Sequence, residues 1–331
     1  MTKGLILKIA ALTAVAGGLV FVNQLVGSTA TSMRSPEGVS RAAGVAAQPS
    51  MPQTAVAHAP ADTPATRAAP LGAMRRRPRE LGAAGLNADR PNFVSVCRYS
   101  HSNMDDPIVD PGKPGAAHHH DFFANTTTNA SSTYDSMRAG GTTCRIQGDT
   151  AGYWAPSMWV NGTLVRPTLA RIYYLPGRKN HTTVRPLPAG LKVLAKGDNV
   201  RVAWSCVGRD QRTKAQATPP TCPANTHLVE HIQFPDCWDG QHLDTPDHMS
   251  NMTFARGGGC PQSHPVPVPA ISLNIHYPTR GGNVVLGMPD EPVAPHADFF
   301  NTWDQLTLDR LVRMCIDAGV HCGARPPGAN V

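Results

Sequence analysis

The sequence predicts a mostly β fold, a sandwich or jelly-roll-like single domain with long loops and one C-terminal helix. Short runs rich in β-branched and aromatic residues recur through the second half of the chain. Pro and Gly are frequent between them, with 31 Pro and 30 Gly in 331 residues. Only one segment has a convincing helical period. Many short strands joined by Pro/Gly turns, with little helix, is the pattern of two packed β layers.

Taken in order, Leu164–Leu175, Leu191–Ala195, Val200–Val207, Leu228–Phe234, Ala270–Tyr277 and Asn283–Leu286 read as strands. A short helix is expected over Ser132–Ala139, ended by Gly140-Gly141. The clear helix runs from Thr307 to Ala318. Leu308, Leu311, Val312 and Cys315 fall at i, i+3, i+4 and i+7 on one face, Asp304 or Thr307 caps its start, and Gly319 closes it.

The first ninety residues differ from the rest. They carry ten Lys/Arg and four Asp/Glu, whereas residues 91–331 carry twenty and nineteen. The high pI therefore belongs to the leader and linker. A nucleic-acid-binding domain, which needs clustered positive charge on its folded part, is not expected. Lys3 and Lys8 precede an uncharged stretch from Ile9 to Met33, with small residues at Ser28-Thr29-Ala30. Residues 1–30 read as a signal peptide, or as an uncleaved membrane anchor, since the stretch is long enough to span a bilayer. Residues 31–90, rich in Ala, Pro and Arg, are expected to be a disordered linker. The folded domain is expected over 91–322, followed by a tail at 323–331. Either N-terminal reading puts the domain in an extracellular or cell-surface location.

All eight cysteines lie between Cys97 and Cys322, and an even count in an exported domain implies disulfides. The expected pairs are Cys206 with Cys222, Cys315 with Cys322, Cys97 with Cys144, and Cys237 with Cys260. With no C-x-x-C pair present, thiolate zinc is not expected.

Two stretches echo each other: His119-His120-Asp121-Phe122-Phe123 and His296-Ala297-Asp298-Phe299-Phe300. On an extended strand, residues two apart share a face, so each echo offers an imidazole and a carboxylate together. His118 and His120 form an H-x-H pair facing one way while His119 points the other, a common way to present two imidazoles to a metal. A third cluster runs from Cys237 to His248. It contains Trp238, Asp239, His242, Asp244, Asp247 and His248, enough carboxylates for an acid/base pair or for an oxygen-rich cation site. Turn chemistry alone also accounts for Asp in such a loop. The chain has no G-x-S-x-G, no Walker loop, no G-x-G-x-x-G and no H-E-x-x-H, which removes support for esterase, nucleotide-dependent and zincin readings.

Several segments together carry a resemblance. They are Cys97-Arg98-Tyr99-Ser100-His101-Ser102, Asp105-Asp106-Pro107-Ile108-Val109, Pro111-Gly112, the H-x-H-D-F-F segment, Thr142-Thr143-Cys144, Tyr153-Trp154-Ala155-Pro156, Phe234–Gly240, Leu243-Asp244, Asp247-His248, Cys260-Pro261 and His296–Phe299. Across residues 91–322 the chain resembles a secreted domain-of-unknown-function family of actinobacteria and fungi, numbered nineteen-ninety-six. It departs from that pattern at Ala124, where Gly is expected. The resemblance implies an extracellular domain. In fungi the family is at times coupled to WSC carbohydrate-binding modules, which implies contact with polysaccharide, and it supplies no activity.

The first functional expectation is a secreted carbohydrate-active hydrolase, a glycoside hydrolase. Its acid/base residues are drawn from Asp239, Asp244, Asp247, Asp121 and Asp298. Trp154, Trp159, Trp238 and His101 contact the sugar, and His118, His120, His248 and His296 hold a divalent metal or orient the carboxylates. The alternatives are a non-catalytic polysaccharide- or cell-wall-binding module, and an extracellular metal-binding protein. The expected partner is a polysaccharide or cell-wall glycan.

Overall fold

The protein is described by a computed structural model, which covers residues 90–177 and 183–327. The leader, anchor and linker expectations for residues 1–89 and the end of the tail lie outside the described residues.

The strands in chain order are β1 (Asn92–Asn103), β2 (His120–Ala124), β3 (Gly152–Pro156), β4 (Met158–Val160), β5 (Thr163–Val165), β6 (Leu169–Leu175), β7 (Lys192–Ala195), β8 (Arg201–Gly208), β9 (Thr226–Gln233), β10 (Cys237–Trp238), β11 (Met252–Thr253), β12 (Val266–Pro267), β13 (Ala270–Tyr277), β14 (Val284–Leu286), β15 (Ala297–Phe300) and β16 (His321–Gly323). Among the described residues two α-helices, α1 (Tyr134–Arg138) and α2 (Gln305–Leu311), and a short 3-10 turn at Gly197–Asn199 complete the set, α2 being continued by a π-helical segment, Val312–Asp317. The fold is mostly β, as the sequence predicts. The expected Leu164–Leu175 strand is two strands, because Pro167 lacks an N–H and turns the chain between them. The capping alternatives resolve in favour of Asp304, whose Oδ1 accepts from the Thr307 N–H at 2.9 Å. Thr133 and Ser136 close a capping box on α1.

The main sheet runs β7-β15-β3-β2-β1-β6-β13-β9-β8, with β16 added beside β1. β1 joins its two halves. Residues 93–98 pair with β6, and residues 99–103 pair with β2 across a bulge. A strand that changes partner midway lets the sheet curl so that its halves face each other, the geometry of a sandwich corner. The inner faces share one core. Phe123, Tyr153, Ala297 and Phe299 come from one half, and Ile172, Tyr174, Ile232, Leu273 and Ile275 from the other. The halves also meet through hydrogen bonds: Trp303 Nε1 donates to the hydroxyls of Tyr153 at 3.0 Å and Tyr174 at 2.8 Å.

Alternation gives each half an outer face as well. Behind β2, β3 and β15 lies a small second core of Ile108, Phe122, Met137, Trp154 and Phe300. Behind β1 and β6 lies another, of Val94, Val96, Tyr173 and Leu175. The four disulfides are the four expected pairs: Cys97–Cys144, Cys206–Cys222, Cys237–Cys260 and Cys315–Cys322. They fit an extracellular or secreted protein. Among the described residues no helix is long and apolar enough to cross a membrane.

Candidate metal centre

β3 lies between β2 and β15, antiparallel to both, so the two echoed segments run parallel to each other on either side of it. The register puts Phe123 and Phe299 opposite Tyr153, and Phe122 and Asp298 opposite Trp154. The sheet therefore aligns the echoes one residue out of step with their letters. Because strand side chains alternate, that single step sends Asp121 inward with Phe123 and leaves Asp298 outward with Phe122. The two aspartates of the echo stand on opposite faces.

On the outer face, His118, His120 and His296 come together. One ligand atom from each lies within 4.8 Å of the others, and the same holds for Asp106, His120 and Asp298. The ring centroids of His118 and His120 are 4.2 Å apart, and those of His118 and His296 are 4.9 Å apart. His120 is wholly buried, His296 is nearly so, and His118 forms the half-exposed edge. Two imidazoles are aimed by backbone carbonyls. His120 Nδ1 lies 3.1 Å from the Asp105 carbonyl, and His296 Nδ1 lies 2.8 Å from the Ala294 carbonyl. A carbonyl only accepts, so each Nδ1 carries the hydrogen and each Nε2 presents a lone pair. Second-group orientation of this kind is the usual setting of a metal-ligating histidine.

The centre contains buried polar atoms with no hydrogen-bond partner: His118 Nε2, His120 Nε2 and both carboxylate oxygens of Asp298. Buried polar atoms are almost always satisfied, so four orphans in one cluster mark a place for a further group. Burial dominates the electrostatics. It lowers His120 well below the ordinary imidazole value, with His118 and His296 adding to the effect, and it lowers His296 to about 4. His118 is lowered by burial and then by Lys196. All three imidazoles are thus neutral near pH 7, the form that binds metals. Asp298 is raised well above the carboxylate range by burial and by the charge of Asp106, with Lys196 opposing. Asp106 is better satisfied. One oxygen accepts from the N–H groups of Ile108 and Val109 at 2.8 and 2.9 Å, and the other from Trp154 Nε1 at 3.3 Å.

The remaining sequence candidates are distributed as follows. His101 stacks on Phe122 with centroids 4.9 Å apart and bonds the Thr128 carbonyl at 2.7 Å, beside the small outer core. Trp154 is fully buried against Phe122, so its faces meet protein. Trp159 and Trp238 are half-buried, and their indole N–H groups donate to the Gly287 and His242 carbonyls.

The Asp239–His248 loop docks along the edge of β7. Lys192 N–H donates to the Leu243 carbonyl, and Leu194 N–H to that of His248. Its carboxylates are taken up by the loop itself and by Lys192. Asp239 accepts from the Gln241 and His242 N–H groups and lies 2.6 Å from His242 Nδ1. Asp244 meets His248 Nδ1 at 2.8 Å and Lys192 Nζ at 3.3 Å. Asp247 accepts from the N–H groups of Met249 and Ser250 and from the hydroxyls of Thr245 and Ser250. Among the described residues His248 belongs to no group of three clustered metal-ligating side chains.

Asp121, facing inward, accepts from the Ser102 and Ser157 hydroxyls at 2.6 and 2.8 Å through one oxygen, while the other is buried without a partner. Burial raises its pKa, and those two hydroxyls oppose the rise. Across the core its charge reaches Glu230, a buried acid absent from the sequence candidates. The signal for Glu230 was there: it occupies the inward position between Leu228 and Ile232, where the period of the strand calls for an apolar residue. Lys196, which acts on His118, His296 and Asp298, carried no sequence signal.

No curated protein and no solved structure matches the chain. The profile of one family matches residues 106–303, a span that begins at Asp106, contains every member of the cluster and ends at Trp303. The chain belongs to the family described as Domain of unknown function (DUF1996).

Proposed function

We propose that this protein is an extracellular metalloprotein whose centre is held by His118, His120 and His296 with Asp298 as the carboxylate, and that it acts hydrolytically on an extracellular polysaccharide. The observation that carries the reading is the group of four buried, unpartnered atoms, His118 Nε2, His120 Nε2 and the two Asp298 oxygens. Three imidazoles and a carboxylate suit zinc, copper, iron or nickel better than calcium or magnesium, which prefer all-oxygen sets. Ligand atoms of a tetrahedral zinc lie about 3.4 Å apart, given metal–nitrogen distances near 2.1 Å. The rings therefore need to close by little more than an ångström from their 4.8 Å limit. A divalent ion with a position left open supplies an activated water at neutral pH. The half-exposed edge at His118 is the side from which solvent and substrate would reach it. The loop carboxylates at Asp239, Asp244 and Asp247, engaged by their own turn, are better suited to holding the β7 edge than to acid/base work.

The test is equilibrium dialysis of untagged protein against Zn, Cu, Ni, Co, Mn and Ca, read by elemental analysis. Roughly one transition-metal ion per chain is expected, with affinity reduced about 100-fold or more in His120→Ala and His296→Ala, since each removes a direct ligand. Absence of stoichiometric metal, or unchanged affinity in both variants, overturns the metal centre. Reducing-sugar release from a panel of polysaccharides, lost in His120→Ala, supports hydrolysis. Retention on insoluble glycan without release would replace hydrolysis by binding.

A further inference from the structure

The edge strand β7 sets a row of side chains beside the metal centre. Its register with β15 places Lys192 opposite Phe300 and Leu194 opposite Asp298. Phe300 belongs to the small outer core and Asp298 to the metal centre, so Lys192 and Leu194 stand on the outer face. Residue 196 keeps an extended backbone, with φ −147° and ψ 156°, so the alternation runs one step past the end of the strand. Lys196 therefore continues the outward row. It comes opposite His296, one step beyond the pair of Ala195 with Ala297.

The two lysines of the row are used differently. Lys192 Nζ lies 3.3 Å from Asp244 and 5.2 Å from the centre of the Phe300 ring. Lys196 is exposed, and among the described residues its ammonium makes no hydrogen bond and no ion pair. Its charge nevertheless acts on His118, His296 and Asp298, three of the four proposed ligands. It does not close on Asp298, whose two oxygens are buried without a partner. Reaching them would strip the ammonium of its water, a cost that one ion pair seldom offsets. The charge stays at the mouth of the centre, within reach of the half-exposed His118. A divalent ion on three neutral imidazoles and one carboxylate keeps one net positive charge, and Lys196 sets a second beside it. Asp106, the other acid of the centre, is engaged by the N–H groups of Ile108, Val109 and the Trp154 indole.

We propose that Lys196 selects an anionic group for this centre: a carboxylate or sulfate oxygen takes the open position on the metal while the Lys196 ammonium attracts the same group, so that the polysaccharide is an acidic one. The inference rests on the metal centre proposed above and names its substrate class. Two positive charges at one mouth repel each other, and an anion between them turns that repulsion into two attractions. A neutral glycan offers only hydroxyls and gains little from either charge. An ammonium is a compact point charge with rotatable donors, so it draws in an oxyanion without fixing its plane. The same chemistry is offered by a free carboxylate or sulfate ion and by the acidic groups of a uronic-acid or sulfated polysaccharide.

The experiment loads the untagged full chain with cobalt(II), counts the bound metal by elemental analysis, and follows the visible cobalt spectrum during titration with acetate, sulfate, a polyuronate, a sulfated polysaccharide and a neutral glucan. A saturable spectral change is expected with the anions and not with the glucan. Lys196→Gln should bind cobalt as wild type does and weaken the anion response about three- to fivefold, the size expected of one solvent-facing ion pair. Lys196→Arg, which keeps the charge, should restore it to within about twofold. A merely structural role for Lys196 would not give that rescue at constant metal content. Tighter binding per anionic group to a polymer assigns the site to acidic polysaccharide, and equal binding assigns it to the free ion. Cobalt bound without any response to anions, equal anion affinity in Lys196→Gln and wild type, or a glucan response as strong as that to polyuronate overturns this proposal and leaves the metal centre standing. Failure to bind cobalt or another transition metal overturns the metal centre, and this inference with it.

Discussion

Glu230 makes a sharp test of the buried electrostatics. It stands on β9 with 1 % of its surface exposed. One oxygen accepts from the Tyr277 hydroxyl at 3.4 Å, and the other is buried without a partner. Burial pushes its pKa up to about 8, against an ordinary value of 4.5. The Tyr277 hydrogen bond opposes that push, and the charge of Asp121 adds to it. Below the ordinary value both native and unfolded chains hold the proton. Between there and about 8 the native chain keeps it while the unfolded chain gives it up, so stability falls as pH rises, by up to about 1.4 kcal/mol for each pH unit. Above about 8 both forms are ionised and the loss is complete.

Between pH 5 and pH 8 the fall amounts to roughly 3–4 kcal/mol, an order-of-magnitude figure. Glu230→Gln keeps the shape and the Tyr277 contact and does not titrate. The difference in unfolding free energy between variant and wild type should therefore grow in favour of the variant by roughly that amount across the window. Asp149, raised mainly by burial to about 7, titrates in both proteins and cancels from the difference. The assay is urea unfolding at pH 5, 6, 7 and 8, with disulfides intact and chelator present. A difference that stays constant with pH, or one that grows in favour of wild type, would refute the reasoning, because it would mean that Glu230 is ionised and paired in the native state.

Asp298→Asn should lower transition-metal affinity about 10- to 100-fold while leaving the melting temperature of metal-free protein unchanged or higher, because neither oxygen of Asp298 has a hydrogen bond to lose. Dialysis and calorimetry on one preparation check both halves. Trp303→Phe removes the N–H shared by the Tyr153 and Tyr174 hydroxyls in the core and should cost about 1–3 kcal/mol by urea unfolding. Ala124 holds a φ of +67° in a fully buried position. A β-branched side chain tolerates that conformation poorly, so Ala124→Val should cost about 2 kcal/mol or more while Ala124→Gly folds normally, read by thermal melts.

Much of the fold was legible because it depends on local pattern. The long apolar runs of β6, β8, β9 and β13 and the amphipathic face of the C-terminal helix follow from spacing along the chain, whereas the choice of Asp304 over Thr307 as the cap and the pairing of the eight cysteines, which sequence alone leaves open, are decided by the fold. β1 was not anticipated. Its residues mix Ser, His, Arg and Asn with Val and Phe, since it changes sheet partner midway and no single face stays apolar. β2, β3 and β15 carry His, Asp and Gly where a buried strand is expected to be hydrophobic. Those departures are the candidate centre itself. The expected Gly at position 124 meets a residue that does adopt the left-handed backbone, which explains why the family pattern asks for Gly there.

What the sequence determined by itself was membership of the family, a disulfide-bonded β domain, and a short list of histidines and aspartates able to do chemistry. Only the tertiary structure decided which of them meet. His118 and His120 share a face by strand alternation, but their partners His296 and Asp298 arrive from some 180 residues away through β15, one strand removed across β3. The one-residue offset between the echo as written and the register as folded then parts Asp121 from Asp298. Pairing between distant strands sets that offset, and because side chains alternate with a period of two, a shift of one residue reverses the face on which every group stands.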